Sequence, residues 1–404
     1  MDGRLALGGR IAAAAARMGI DRVEEALGRA LPRTPEQLAR PEVVNALLRA
    51  HAPQGAVPLP PVRAARLAGV DFESSNCRNF LVEVEFDEGA ARDGALPSTL
   101  YAKLPCAERT TRAFANAVGF WETEVAFCAR IAHRMPIRVP RVHAAARRGA
   151  RFALLLENLH ALPGARLFLN RDMAAGTTPD VARLCLRAFA KVHAAFEGLP
   201  AAEREALLPL RLHAYLSPGG RARTLALGAA AIGPAQRAAP DLVTPAHAAL
   251  CRRALEKWDA LMAVWYAEPL TLIHGDSHLG NCFLHDGPDG TQVGMIDFQG
   301  LQWCKGMRDV QYFLADSLEP DVLARHEDEL IDDYLRALGE RGAALDPALA
   351  RAQYRACAFQ TLMVAVVSLG LGSLTERDET VRTVLRRSLA LADRLDLGSW
   401  LERL

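Results

Sequence analysis

Two rhythms of hydrophobic and polar positions run along the chain, and the change between them divides it. Residues 1 to about 50 have helical period, and Thr34-Pro35-Glu36 supplies a cap, a first-turn proline and an early acid. The stretch 53–61, with Gly55, Pro58 and Pro60 inside it, breaks that pattern and reads as a linker. From Arg63 the period shortens to two. Phe80-Leu81-Val82-Glu83-Val84-Glu85-Phe86 alternates apolar and acidic residues as a half-exposed strand does. Residues 89–97 read as a hairpin-type connection, 100–104 as a second strand, 111–131 as a helix, and 151–156 as an apolar strand ending at Glu157-Asn158. Beyond Pro163 the helical period dominates, over about 180–196, 245–266, 308–340, 347–370 and 377–396. Two short strands, 270–274 and 292–297, interrupt it. The pattern predicts an α+β chain with a helical extension and linker over 1–62, a small sheet lobe with one long helix over 63–159, and a larger helical lobe over 160–404.

Composition removes several classes of function. Half of the 404 residues are hydrophobic, so a sizeable core is available. Lys and Arg number 48 against 47 Asp and Glu, a balance that gives no overall drive toward nucleic acid or an anionic membrane. Eight cysteines are scattered without a C-x-x-C pair, which reads as reduced, buried thiols in a cytoplasmic protein and argues against zinc. The alanine run 12–16 is too weakly apolar for a secretory core, and the apolar run 362–371 is shorter than the ~18 residues of a membrane span.

The chemistry concentrates in Ile273-His274-Gly275-Asp276-Ser277-His278-Leu279-Gly280-Asn281 and, beyond a short hairpin, Ile296-Asp297-Phe298-Gln299-Gly300. A strand that stops at His-Gly-Asp leaves its polar residues on a loop at a sheet edge. Taken singly, Asp276 and Asp297 would be turn formers. Taken together, they have the spacing of a kinase-type site. Asp276 is the candidate general base or hydroxyl-orienting residue. Asn281 offers a hard oxygen and Asp297 a carboxylate, which suits Mg²⁺ held against a nucleoside triphosphate.

His-Gly-Asp-x-His-x-Gly-Asn followed by Ile-Asp-Phe resembles the aminoglycoside phosphotransferase and choline kinase-like family. Asp297-Phe298-Gln299, with Arg308-Asp309-Val310-Gln311-Tyr312-Phe313-Leu314 after it, is most similar to the ecdysteroid kinase-like branch. The similarity runs from about residue 63 to 395, although only these two motifs are highly specific. It implies a protein-kinase-like two-lobed fold, with a small N-terminal antiparallel sheet lobe and a larger helical C-terminal lobe. It also implies ATP- and Mg²⁺-dependent phosphorylation of a small-molecule hydroxyl.

That fold implies further parts. Lys103, on the strand 100–104, is the candidate phosphate-pairing lysine. Its partner is Glu122 or Glu124. Phe120, Glu124, Phe127 and Ile131 share one helical face, and a carboxylate in an apolar stripe needs a cation, which favours Glu124. The backbone of Glu157 and Leu159 would form the adenine-contacting hinge. The phosphate-covering loop departs from the glycine-rich pattern, since the chain offers Glu73-Ser74-Ser75-Asn76-Cys77-Arg78-Asn79 there, with Ser75 and Asn76 as candidates. No Walker A sequence is present, which excludes a P-loop enzyme. His274 is placed behind the catalytic loop and His278 within it, Asp309 as a cap or brace, and His193 in the core.

The segment 201–248 sets Glu203, Glu205 and Asp241 against Arg204, Arg211, Arg221, Arg223 and Arg237. A pocket for a polycationic aminoglycoside calls for clustered carboxylates. The expected acceptor is therefore a neutral or apolar, or weakly anionic, hydroxylated compound. An antibiotic phosphotransferase and a catalytically silent nucleotide-binding module are the alternatives. A protein kinase is disfavoured by the absence of H-R-D and A-P-E sequences. The oligomeric state is left open.

Overall fold

Alternation along three strands decides which face of a sheet Lys103 occupies. The structure is a computed structural model that describes residues 3–28, 30–73, 76–87, 96–209, 218–288, 290–371 and 378–404. Its chain divides into two compact units. One comprises residues 5–135 and 139–163, and the other residues 1–4, 136–138 and 164–404.

The first, the sheet unit, contains most of α1 (Gly3–Ala26), followed by α2 (Pro35–Leu38) and α3 (Pro41–Ala50). Thr34 caps α2 by accepting the Gln37 N–H, with Pro35 opening the helix. Strands β1 (Val62–Glu73), β2 (Cys77–Phe86), β3 (Thr99–Pro105), β4 (Val142–Arg148) and β5 (Arg151–Glu157) form one antiparallel sheet in the order β1-β2-β3-β5-β4. Phe80 pairs with Ala102, and Val82 with Leu100. These residues, with Val84, Leu104 and Leu155, make a core against Leu38, Val44 and Leu47 of α2 and α3. Side chains alternate across a strand, so Lys103 projects from the opposite face.

Two helices, α4 (Arg109–Val118) and α5 (Phe120–Arg130), replace the single helix expected over 111–131. Gly119, at φ +88°, ends the first in the left-handed region and lets the chain restart. Asp21 of α1 is buried, accepts the Ala150 N–H at 3.1 Å and lies 3.5 Å from both Arg112 and Arg151. Strands β1 and β4 were not anticipated by the hydrophobic pattern. The expected connection over 89–97 falls largely outside the described residues.

The other, the helical unit, begins with β6 (Arg166–Leu167), α6 (Asn170–Ala175), α7 (Pro179–Phe196), α8 (Ala201–Leu207) and α9 (Arg221–Ala238). Next come α10 (Pro245–Glu256) and α11 (Trp258–Trp265), where one helix was expected, since the chain leaves helical geometry at Lys257. Strands β7 (Thr271–Ile273), β8 (Cys282–Gly287), β9 (Gly290–Met295) and β10 (Gln302–Cys304) follow. The expected helix 308–340 is likewise two, α12 (Met307–Ser317) and α13 (Pro320–Gly339), because Pro320 is tolerated only in a first turn. The final helices are α14 (Pro347–Gly370), α15 (Asp378–Arg394) and α16 (Leu397–Glu402).

Strand β7 pairs antiparallel with β10, and β8 lies between β6 and β9. The core gathers α9, α10, α11, α14 and α15 around Trp258 and Trp265, whose rings meet edge to face at 4.9 Å. All eight cysteines are buried and none is in a disulfide. Among the described residues no helix is long and apolar enough to cross a membrane.

Candidate catalytic loop and its supports

The loop from His274 to Asn281 leaves the end of β7 through a turn that only glycine fits. Gly275 has φ +78°, and a Cβ there would come within 2.1 Å of the Gly300 carbonyl oxygen. Below this turn Asp309, at the start of α12 and 2% exposed, accepts the N–H groups of His274 at 2.7 Å and Gly275 at 2.9 Å. Its own carbonyl accepts the Ser277 hydroxyl at 3.0 Å. Asp309 therefore braces the loop backbone. His193 Nε2 is 3.3 Å from Asp309, and its Nδ1 is 2.9 Å from the Tyr334 hydroxyl, which makes His193 a buried support. Burial raises the Asp309 carboxyl, but His193, His274 and the backbone donors outweigh it and hold the group below its ordinary value.

The Asp276 carboxylate is half-buried. Tyr312 donates its hydroxyl to Oδ1 at 3.1 Å, and His278 Nε2 faces Oδ2 at 3.6 Å. His274 sits behind, with Nδ1 accepting the Asp276 N–H at 3.3 Å and Nε2 bonded to the Ile296 carbonyl at 2.9 Å. Burial pushes the Asp276 carboxyl up, yet His278, then His274 and Tyr312, pull it well below the usual carboxylate range. Burial opposes the charge on His278, but Asp276 more than compensates and raises its pKa to about 9. A carboxylate this acidic is a weak base near neutral pH. It suits the orienting of a hydroxyl better than full proton abstraction.

The hairpin of β8 and β9 brings the second and third motif residues together. Cys282 pairs with Met295, and the Asn281 carbonyl accepts the Ile296 N–H at 3.0 Å, so Asn281 and Asp297 flank the same strand ends. Asn281 directs Nδ2 to the Asp276 carbonyl at 2.8 Å, which turns its amide oxygen the other way. Asp297 occupies the left-handed region at φ 62°, an arrangement of order 1 kcal/mol in cost for a residue with a Cβ. An amide oxygen and a carboxylate are hard donors that fit Mg²⁺. That ion takes one or two protein carboxylates and completes its shell with phosphate and water. No cluster of three His, Cys, Asp or Glu side chains suited to a metal exists among the described residues.

In the sheet unit Lys103 Nζ lies 2.5 Å from Glu124 Oε1, and both side chains are buried. Glu122 instead lies 3.4 Å from Arg147. Asn76 is buried, and its side-chain oxygen accepts the Trp121 indole N–H at 3.3 Å. Ser75 is outside the described residues. Glu157 ends β5, donates its N–H to the Arg141 carbonyl at 2.8 Å and accepts the Arg141 N–H through its carboxylate at 3.0 Å. Leu159 is buried at the start of a single 3₁₀ turn capped by Asn158.

Sequence reasoning gave no role to Tyr312, which donates to Asp276, or to Arg308, which meets the Gly275 carbonyl and the Tyr312 ring. Both entered only as members of the motif 308–314. A tyrosine and an arginine four apart on a helix share a face. That was the available signal, and it needs a buried acid nearby to acquire meaning.

The model of the ecdysteroid kinase-like family matches residues 224–346, which include Asp276, Asn281, Asp297 and Asp309. This match bears out the resemblance drawn from the two motifs. No curated protein matches the chain. Among solved structures, a choline kinase from Cryptosporidium parvum aligns at 11% identity and TM-score 0.48, over 89% of this chain and 99% of that one. An ethanolamine kinase from Plasmodium vivax aligns at 12% identity and TM-score 0.46, over 80% and 82%. An aminoglycoside phosphotransferase from Streptomyces rimosus aligns at 18% identity and TM-score 0.39, over 69% and 89%.

Proposed function

We propose that this chain is an ATP- and Mg²⁺-dependent small-molecule kinase. It would transfer the γ-phosphoryl group to a hydroxyl of a metabolite that is neutral or apolar, or weakly anionic. One observation carries the reading. Asp276 is an ionised carboxylate fixed by Tyr312 on a loop whose backbone Asp309 braces, beside the hairpin that joins Asn281 and Asp297.

Phosphoryl transfer asks a protein for in-line positioning and charge neutralisation more than for covalent chemistry. Asp276 accepts a hydrogen bond from the acceptor hydroxyl and points its oxygen lone pair at the phosphorus. Tyr312 keeps the carboxylate in the orientation that this requires. Asn281 and Asp297 would hold Mg²⁺, which supplies charge neutralisation on the phosphate oxygens. Lys103, oriented by Glu124, would pair with the phosphates, and the backbone at Glu157 and Leu159 would meet adenine. The phosphate-covering role of Ser75 and Asn76 rests on backbone N–H groups, because the Asn76 side chain is turned inward. The mixed charge of 201–248 supports an acceptor that is not a polycation. Buried thiols outside any disulfide support a reducing, cytoplasmic setting, and the balance of 48 Lys and Arg against 47 Asp and Glu supports a chain without a nucleic-acid or membrane partner.

The test is acceptor-dependent ADP formation across a library of hydroxylated metabolites that includes hydroxysteroids and aminoglycosides. Asp276→Asn is expected to lower turnover by about 10²- to 10⁴-fold while Mg·ATP binding persists. Mg·ATP binding with no ADP release on any acceptor would leave a silent nucleotide-binding module. Turnover of aminoglycosides alone would overturn the acceptor class.

A further inference from the structure

Arg308 is a buried cation, 1% exposed, without an ion-pair partner among the described residues. One donor, Nη2, reaches the Gly275 carbonyl at 3.4 Å, and the guanidinium carbon lies 4.8 Å over the Tyr312 ring. The other two nitrogens, Nε and Nη1, are buried without a hydrogen-bond partner. Asp276, which shares Tyr312 with Arg308, and Asp309, the next residue, are committed elsewhere. Asp276 is held by Tyr312 and His278, and Asp309 by the His274 and Gly275 N–H groups and by His193.

Along α12 from Arg308, buried Asp316 leaves Oδ2 without a hydrogen-bond partner and interacts with His278 and Arg387, and the other unmet groups are neutral amides. One turn along α12, Gln311 spends its oxygen on the Thr361 hydroxyl and leaves Nε2 buried without a partner. Gln360, next to Thr361 on α14, leaves both amide atoms unmet. A guanidinium cannot shed its proton to escape burial. Burying it unpaired is strongly unfavourable, and each unmet donor adds its own desolvation cost. A buried donor left unmet in a native fold calls for a partner or a role.

We infer that Arg308 anchors a carboxylate carried by the phosphoryl acceptor, so that the substrate class is a hydroxy acid. The inference rests on the small-molecule kinase reading and narrows its acceptor to the weakly anionic case. Gly275 directly precedes Asp276, and Tyr312 touches both Arg308 and Asp276. A carboxylate on Nε and Nη1 therefore holds its molecule at a fixed offset from the carboxylate that orients the hydroxyl. In the transfer, the acceptor oxygen forms the new bond to the γ-phosphorus and the bond to the β-phosphate oxygen breaks. The hydroxyl proton is released to water as that bond forms, with Asp276 only orienting the hydroxyl, ADP leaves, and the acceptor carboxylate is unchanged.

Two measurements test this, one without turnover. In the first, acetate and benzoate, with acetamide and benzamide as matched neutral controls, are titrated at constant ionic strength against the thermal midpoint. The carboxylates are expected to raise the midpoint of the wild-type chain and the amides to leave it unchanged. Arg308→Met should abolish the response and Arg308→Lys should keep part of it. Equal responses to acid and amide, or an Arg308→Met variant that responds like wild type, overturn the inference. Should the Met variant fail to fold, the Lys variant and the acid–amide pairs on wild type still decide. In the second, ADP release is measured with hydroxy acids and the corresponding hydroxy amides. A preference of roughly 10- to 100-fold for the acids is expected, the scale of a hydrogen bond to a charged group. Equal turnover of acid and amide sinks the Arg308 anchor and leaves the kinase standing. Carboxylate binding that depends on Arg308 without ADP release from any compound leaves the anchor as an anion site and sinks the kinase.

Discussion

Tyr312 donates its hydroxyl to Asp276 Oδ1 across 3.1 Å, and the two residues are joined by nothing shorter than the fold itself. Tyrosine sits on α12 and aspartate on the loop after β7. A hydrogen bond to an ionised acceptor contributes about 1.5–3 kcal/mol, and this one also fixes the direction of the second carboxylate oxygen. Tyr312→Phe removes the donor and keeps the ring under Arg308. Turnover is expected to fall about 10- to 100-fold, with Mg·ATP affinity unchanged. Steady-state rates beside equilibrium nucleotide titration check it, and an unaltered rate would remove Tyr312 from the machinery.

Asp309 carries a different kind of load. Its carboxylate meets two backbone N–H groups and His193 in a buried setting. Asp309→Leu leaves those donors without an acceptor, at about 1–3 kcal/mol each. Asp309→Asn keeps one oxygen and should cost less than half as much. Urea unfolding of the pair gives the comparison, and equal midpoints for the two variants would show that the bracing bonds contribute nothing.

The Lys103–Glu124 pair combines stability with nucleotide binding, and double substitution separates them. Removing one member of a buried ion pair costs about 3–5 kcal/mol because the other is left charged and dry. Lys103→Met and Glu124→Leu are each expected to destabilise by that amount, and the double variant by less than either. Nucleotide affinity should fall in every variant that lacks Lys103, including the double one whose stability recovers. Recovery of affinity along with stability would mean that Lys103 is structural only.

Where a signal is local, the chain could be read directly. Pro347 and the run behind it gave α14 from 347 to 370, and Pro35 after Thr34 gave α2 its start. The helical face that holds Phe120, Phe127 and Ile131 separated Glu124 from Glu122, and only Glu124 meets Lys103. The asparagine and second aspartate could be read as one set because a hairpin of fixed register joins them. Interactions assembled from afar were not legible. Tyr312 and Arg308 owe their meaning to Asp276 and Gly275, more than thirty positions away in the chain. Helix α9 was obscured by Gly228, Gly233 and Pro234 within it. The break at Lys257 has neither glycine nor proline to announce it.

Acid stability offers a last prediction, through Glu319. This carboxylate sits ahead of α13 and accepts from Arg386 at 2.8 Å and from Arg387 at 2.6 Å. Arg387 is buried and also donates to the carbonyls of Met173 at 2.8 Å and Ala174 at 2.9 Å, so it ties α15 to the end of α6. Burial alone would raise the Glu319 carboxyl, but the hydrogen bonds from Arg387 and Arg386 outweigh it and hold the group below its ordinary value. A depressed folded-state pKa means that the unfolded chain takes up the proton first as pH falls. The stabilisation is therefore complete above the ordinary glutamate value of about 4.3 and is lost as pH drops below it toward the folded-state value. Glu319→Gln should lower the urea midpoint at pH 7. The gap from wild type should then narrow steadily once the pH falls below about 4. A gap that stays constant from neutral pH to pH 3 would show that Glu319 and Arg387 are neighbours without thermodynamic coupling.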